Sequence, residues 1–247
     1  MGALVHETGL VVVGERHGTN EFPALVLRLA LAASALGRIT LALELGDDAR
    51  APLASFVRSR GSSHDRDVLL SATSWQRRDG RASEAMFRLV EGIRNAVAAG
   101  ADIDVEVFDA MPTGDPRTDS FRIEREVLMA ARLREIVRRG PTLALSGNVH
   151  AELVARPGAP RDFVPAAALV AEHAELVSLR GSHAGGEAWC TQPIDDDLIS
   201  GPHAVAGDDQ GDQPFIELAS PARVRSGVAY VGTITPSPPA VGADPPT

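Results

Sequence analysis

Two short turns in this chain carry the residue types that acid–base chemistry needs. Val11–Val13 runs into Gly14-Glu15-Arg16-His17, and Thr142–Leu145 runs into Ser146-Gly147-Asn148-Val149-His150. In each, a β-rich segment stops near a glycine and a histidine follows. Glu44 closes a further apolar run, Ile39–Leu43, and Asp109 closes Val105–Phe108. Arg125 lies early in a helical pattern over residues 120–138. Two kinds of work are open to such a set. Without a metal, a histidine or glutamate takes a proton from water or a substrate hydroxyl. A partner carboxylate then fixes the tautomer, and Arg125 steadies an oxyanion or holds a substrate carboxylate. With a metal, His17, Glu44 and His150 supply three ligands to a divalent ion whose open position activates water. Spacing does not separate the two, because the groups come from different strands.

These groups meet only if their strands lie side by side and point the same way. Strand patterns do alternate with helical ones. Leu25, Leu29, Ala32, Ala33 and Leu36 share a helical face that stops at Gly37; Met86, Leu89, Val90, Ile93 and Val97 follow the cap Ser83. Ile123, Val127, Ala130, Leu133 and Val137 form a third seam, ended by Gly140-Pro141. The alternation predicts an α/β fold, a mainly parallel central sheet flanked by helices, with ligands bound outside the carboxyl ends of the strands. Residues 51–59 and 165–173 read as short helices, 176–180 as a strand and Val228–Ile234 as the last strand. Residues 190–214 are acidic and loop-like. Residues 60–81 show little pattern and read as a lid or binding loop, with Trp75 as its anchor. One catalytic-type domain is expected over 1–235, followed by a disordered Pro-rich tail, 236–247.

Composition narrows the function. The 247 residues suit one sizeable α/β domain, and the net charge of −9 argues against nucleic acid and anionic membranes as partners. All 24 basic residues are arginine, which removes Schiff-base lysine chemistry and any P-loop lysine. A single cysteine, Cys190, allows no internal disulfide. Residues 1–10 show no basic-then-apolar leader, and no apolar run reaches the roughly 18 residues of a membrane helix. The expectation is a cytoplasmic protein acting on a small-molecule or peptide substrate.

The paired G-x-x-H turns, with Glu44 after a strand between them, resemble the superfamily of erythromycin esterases, ChaN-type haem-uptake lipoproteins and TIKI/TraB-type metalloproteases. His17-Gly18-Thr19-Asn20-Glu21 is similar to the H-G-T-x-E of the esterases, and Arg125-Glu126 before Met129-Ala130 to their R-[DE]-x-x-M-A helix. Trp75, Asp79-Gly80-Arg81, Ser83 and Ala85-Met86 look more like ChaN-type sequences. The resemblance covers roughly residues 10–190. It implies an EreA/ChaN-like fold and catalytic roles for Glu15, His17, Glu44, Arg125 and His150. The esterase likeness implies metal-free catalysis with His17 or Glu44 as base; the TIKI likeness implies a metal on the paired turns.

Glu21, Trp75, Asp109 and His183 are added as substrate-binding candidates, His183 because its Gly-rich segment can line a pocket. Each site residue also has a plainer reading: His150 bonded to a carbonyl, Glu44 an exposed strand end, Glu15 an ion-pair partner, Asp109 a cap, Trp75 ordinary packing. The leading expectation is hydrolysis or elimination at a carbonyl-containing molecule, in natural-product tailoring or antibiotic inactivation. The alternative is a haem- or metal-binding protein without catalysis. No cofactor is required by the sequence; a divalent metal is an option. Haem is less expected, because the one tyrosine, Tyr230, lies far down the chain and His64 or His183 would have to replace it as ligand.

Overall fold

The computed structural model describes residues 2–194, 197–211, 213–219 and 224–242. Four strands carry the residues of interest: β1 (Leu10–Glu15), β2 (Ile39–Gly46), β3 (Ile103–Asp109) and β4 (Thr142–Gly147). They are joined by β5 (Leu176–Ser182), β8 (Phe215–Leu218) and β9 (Val224–Tyr230) in one sheet of order β3-β2-β4-β1-β5-β9-β8. Every pairing in it is parallel except β8 against β9. A second sheet holds β6 (Gly185–Ile194) between β7 (Asp197–Ala206) and β10 (Thr233–Ile234).

Alternation along β1 divides the core in two. Val11 and Val13 face α1 (Gly2–Thr8), α2 (Glu21–Ser34), α3 (Arg50–Val57), α4 (Ser63–Leu70) and α5 (Glu84–Ala98); Leu10 and Val12 face α6 (Asp119–Val137), α7 (Asn148–Ala151) and α8 (Ala166–Ala171). Both faces are covered, which is why the strand runs read as continuous Val/Leu/Ala rather than alternating. α5 begins where the Ser83 hydroxyl accepts the Met86 amide, and it buries Met86, Leu89, Val90 and Ile93. Each such side chain stabilises by about 1.5–3 kcal/mol. α6 is capped in the same way by Thr118 and buries Met129, Ala130, Leu133 and Ile136 against the other face.

The structure departs from the sequence reading in three places. Residues 60–81 are not an open lid: they hold α4, a short 3-10 turn at Thr73–Gln76, and a fully buried Trp75 packed edge-on to Phe87. The segment expected as an acidic loop over 190–214 holds most of the antiparallel β6–β7 pair. The proline-rich segment is packed as far as it is described. Pro236 bridges to Thr19, Pro239 bridges to Ser83, and Ser237 is fully buried; residues 243–247 lie outside the described residues. Proline suits this segment because it adds no amide donor to be satisfied, while its carbonyls still accept.

Candidate active site

The strand order puts the carboxyl ends of β3, β2, β4 and β1 next to one another, and so Asp109, Glu44, Gly147 and Glu15. The β2–β3 register shifts between Leu43 and Gly46, at Glu44 itself; such irregularities re-aim a side chain at a sheet edge. Glu44 is 3% exposed, and both its oxygens are committed. One accepts from Arg81 Nε at 2.8 Å and Arg125 Nη2 at 2.9 Å; the other accepts the Gly147 amide at 2.6 Å and lies 3.7 Å from His17 Nε2. Burial alone would raise this carboxyl's pKa. Its neighbours His150, Arg81, His17 and Arg125 together outweigh that burial and hold the group well below the usual carboxylate range. Glu44 is therefore a fixed anion and a poor proton acceptor.

Two histidine–carboxylate pairs flank it. His17 Nδ1 lies 2.7 Å from Glu15 Oε1, and the network assigns the proton to Nδ1. His17 Nε2 then carries a lone pair with no hydrogen-bond partner among the described residues. His150 Nδ1 likewise donates to Glu126 at 2.6 Å, and Glu126 also accepts the Ala166 amide. The Nε2 of His150 is already used, accepting from Arg125 Nη1 at 3.1 Å. Arg125 is held from its other side by Asp109 at 2.8 Å, and Asp109 takes Arg77 as well, at 3.1 Å. Arg81 is paired with Asp79 at 2.5 Å, and its Nη2 makes no hydrogen bond among the described residues. Both guanidiniums are kept charged: burial disfavours the charge, but Glu44 with Asp79 or Asp109 outweighs it and raises their pKa values.

A cavity of about 840 Å³ opens over this cluster, with Arg81, Arg125 and His150 in its wall. Met111, Phe121, Val149 and Phe163 supply apolar wall beside these charged groups' share of the lining. The volume and the mixture fit a drug-sized ligand. His17 and Glu44 are not in that wall; His17 lies beside it, its side chain 17% exposed.

Two neighbouring turns set the His17 position. At Gly147 a Cβ would meet His17 Nε2 at 2.7 Å, so the imidazole lies directly on a backbone without side chain. Gly18 has φ of +72°, and a Cβ there would meet the Trp189 carbonyl oxygen at 1.9 Å. That close packing lets the Gly18 amide donate to Gly80, joining the His17 and Arg81 loops.

No family model and no curated protein matches the chain. Solved structures do. A succinoglycan biosynthesis protein aligns with a TM-score of 0.67 at 10% identity over 96% of this chain and 90% of its own. A variant of the erythromycin esterase EreC in its open conformation aligns at 0.62, with 12% identity over 99% and 95%. A Bacillus cereus protein aligns at 0.56, with 13% identity over 96% and 91%. The chain has the erythromycin esterase/ChaN-like fold.

Within that fold the five residues expected to be catalytic, Glu15, His17, Glu44, Arg125 and His150, stand together. Sequence reasoning left out Arg81, Asp79 and Glu126, although Asp79-Gly80-Arg81 and Arg125-Glu126 were the motifs that suggested the fold. Of the four expected substrate-binding residues, Asp109 joins the cluster behind the cavity and the other three stand elsewhere. Trp75 is core. Glu21 accepts from the Thr235 amide and hydroxyl. Asp109 is buried behind Arg125 and is not in the cavity wall. His183 lines a separate hollow of about 380 Å³ with Arg16 and Arg180, and its Nδ1 accepts the Gly185 amide. Burial and Arg16 lower its pKa.

The donor set does not fit a divalent ion. Both Glu44 oxygens and His150 Nε2 already face N–H donors, and a guanidinium sits where the ion's charge would be. No group of three or more His, Cys, Asp or Glu among the described residues has metal-holding geometry. The residues considered for haem do not converge either. Tyr230 is buried, donating to the Gly211 carbonyl and stacked on Phe215; His64 lies exposed on α4; His183 is in its own hollow. No described helix is long and apolar enough to cross a membrane.

Proposed function

We propose that this protein is a hydrolase that cleaves an ester or related acyl bond by general-base activation of water at His17. The observation that carries the reading is the Glu15–His17 pair, which leaves Nε2 without a hydrogen-bond partner among the described residues, 3.7 Å from the carboxylate of Glu44 that also holds the buried, charged Arg81 and Arg125. His17 Nε2 takes a proton from water as the oxygen attacks the substrate carbonyl carbon. Glu15 stabilises the imidazolium that forms. The tetrahedral oxyanion receives N–H donors from the free Nη2 of Arg81 and the remaining Nη1 hydrogen of Arg125. On collapse the acyl–oxygen bond breaks, and the imidazolium returns its proton to the leaving alkoxide. Glu44, Asp109 and the His150–Glu126 pair position the two arginines and meet no reacting atom. The likeness to an erythromycin esterase structure supports the reaction class; the substrate of this chain is proposed only as a carbonyl compound with an apolar body.

The test is a panel of aryl esters, lactones and short peptides, assayed with the parent, His17→Ala and Glu15→Gln. The parent turns over at least one member. His17→Ala lowers kcat by about 10²–10⁴-fold with a melting temperature close to that of the parent. Glu15→Gln lowers kcat with little change in KM. Full turnover by His17→Ala, or none by the parent across the panel, overturns the proposal.

A further inference from the structure

The chain carries a net charge of −9, yet six arginines line the cavity against three carboxylates, Asp79, Glu126 and Glu152. Four of the six are already neutralised. Arg77 and Arg125 hold Asp109, Arg81 holds Glu44 and Asp79, and Arg156 chelates Glu152 at 2.8 Å. Glu44 and Asp109 do this from behind, outside the wall. Two cations remain uncommitted. Arg78 has no ion pair among the described residues, and Arg122 reaches only Asp119, at 4.0 Å on an exposed stretch of helix. They come from different elements, Arg78 from the loop before α5 and Arg122 from the second turn of α6. Arg122 is one turn before Arg125 and Glu126, so it shares their face. The same cavity exposes Met111 and Val149, which are 48% and 39% accessible.

We infer that the cavity takes an amphiphilic anion: an apolar body against Met111, Phe121, Val149 and Phe163, and a carboxylate or phosphate head held at the rim by Arg78 and Arg122. The inference rests on the cavity being the substrate site. A guanidinium binds such a head through paired N–H donors, and two from different elements fix its position. A cationic amphiphile meets like charge at the same rim. With the anion held there, the apolar body spans to the Arg81–Arg125 floor.

Binding is measured by calorimetry with three probes of one shape: 4-butylbenzoate, 4-butylbenzyl alcohol and 4-butylbenzylamine. None has a bond for the enzyme to cleave, so the result is independent of the proposed chemistry. The benzoate binds about tenfold or more tightly than the alcohol, and the amine binds least well. In the Arg78→Ala/Arg122→Ala variant the benzoate preference falls below about threefold, while binding of the alcohol and the melting temperature are unchanged, because both side chains are exposed. Equal binding of the three probes overturns the inference, as does no binding at all. A preference that survives in the double variant also overturns it, by placing the anion on Arg81 and Arg125. 4-Butylphenyl phosphate, run alongside, distinguishes the two head groups: tighter binding than the benzoate assigns the rim to phosphate.

Discussion

Glu44→Gln is the substitution that separates a structural anion from a catalytic base. A glutamine must turn its amide NH₂ somewhere. Aimed at the backbone, it opposes the Gly147 N–H and loses a bond of 2.6 Å; turned around, it opposes Arg81 Nε and Arg125 Nη2 at 2.8 and 2.9 Å. Either way a donor faces a donor in a site that is 3% exposed. Removing one partner of a buried ion pair costs about 3–5 kcal/mol. Arg81 keeps Asp79 and Arg125 keeps Asp109, which argues for the lower end, about 3 kcal/mol. For a domain of this size each kcal/mol moves the melting temperature by about 2–4 °C, so the variant melts about 6–12 °C below the parent. The assay is calorimetry or far-UV circular dichroism at pH 7, with His17→Ala as the control. His17 stands at the edge of the cluster, and its loss shifts the midpoint by no more than about 3 °C. A Glu44→Gln protein that melts within 2 °C of the parent would falsify the account of Glu44 as a fixed anion and return it to candidacy as the base.

Two further outcomes follow from the same geometry. Because the folded Glu44 pKa lies well below 4.5, its contribution to stability is complete above that pH and lost as pH falls through the folded value; melting curves of the parent and Glu44→Gln therefore stay a constant distance apart from pH 8 to 5 and converge below pH 4.5. Gly147→Ala places a methyl against His17 Nε2, which Glu15 holds too firmly to yield, so kcat for the active ester falls by about tenfold or more as the base is displaced, with KM nearly unchanged; an unaltered kcat would show that His17 is free to move.

The strand ends were the legible part of this site. A run of β-branched residues that stops at glycine is a local signal, and parallel order then follows from the alternation with helices. That is enough to bring Glu15, Glu44, Asp109 and His150 to one edge. Arg81 was not legible because its partner Glu44 is 37 residues away, and residues 60–81, which hold only a short helix and a 3-10 turn, show little periodicity. Its position depends on Gly80 receiving the Gly18 amide, a contact of tertiary origin. Trp75 misled for the opposite reason: a large aromatic in a polar stretch looked like a surface anchor, and only packing against Phe87 shows it to be core. Glu126 sat beside Arg125 in plain view, but a helix pattern alone does not say which of two adjacent charged residues turns inward. The β6–β7 pair was missed because its polar, Gly- and Pro-containing strands gain their stability from each other rather than from an apolar run.

Thr235 to Ala240 bear on how the protein comes into being. Ser237 donates its amide to the Gly18 carbonyl and accepts the Ala85 amide on its hydroxyl, while the Ala240 amide reaches Ala82, so one short stretch ties the loop of His17 to the loop of Arg81. During translation those loops emerge early and this stretch late. Until about residue 240 has cleared the ribosome, the nascent chain can bury most of its sheet core but has only the Gly18–Gly80 bond to hold the two loops together. Activity should therefore arrive as a single late event in synthesis, and chains stalled before residue 235 should be folded in their interior and chemically silent.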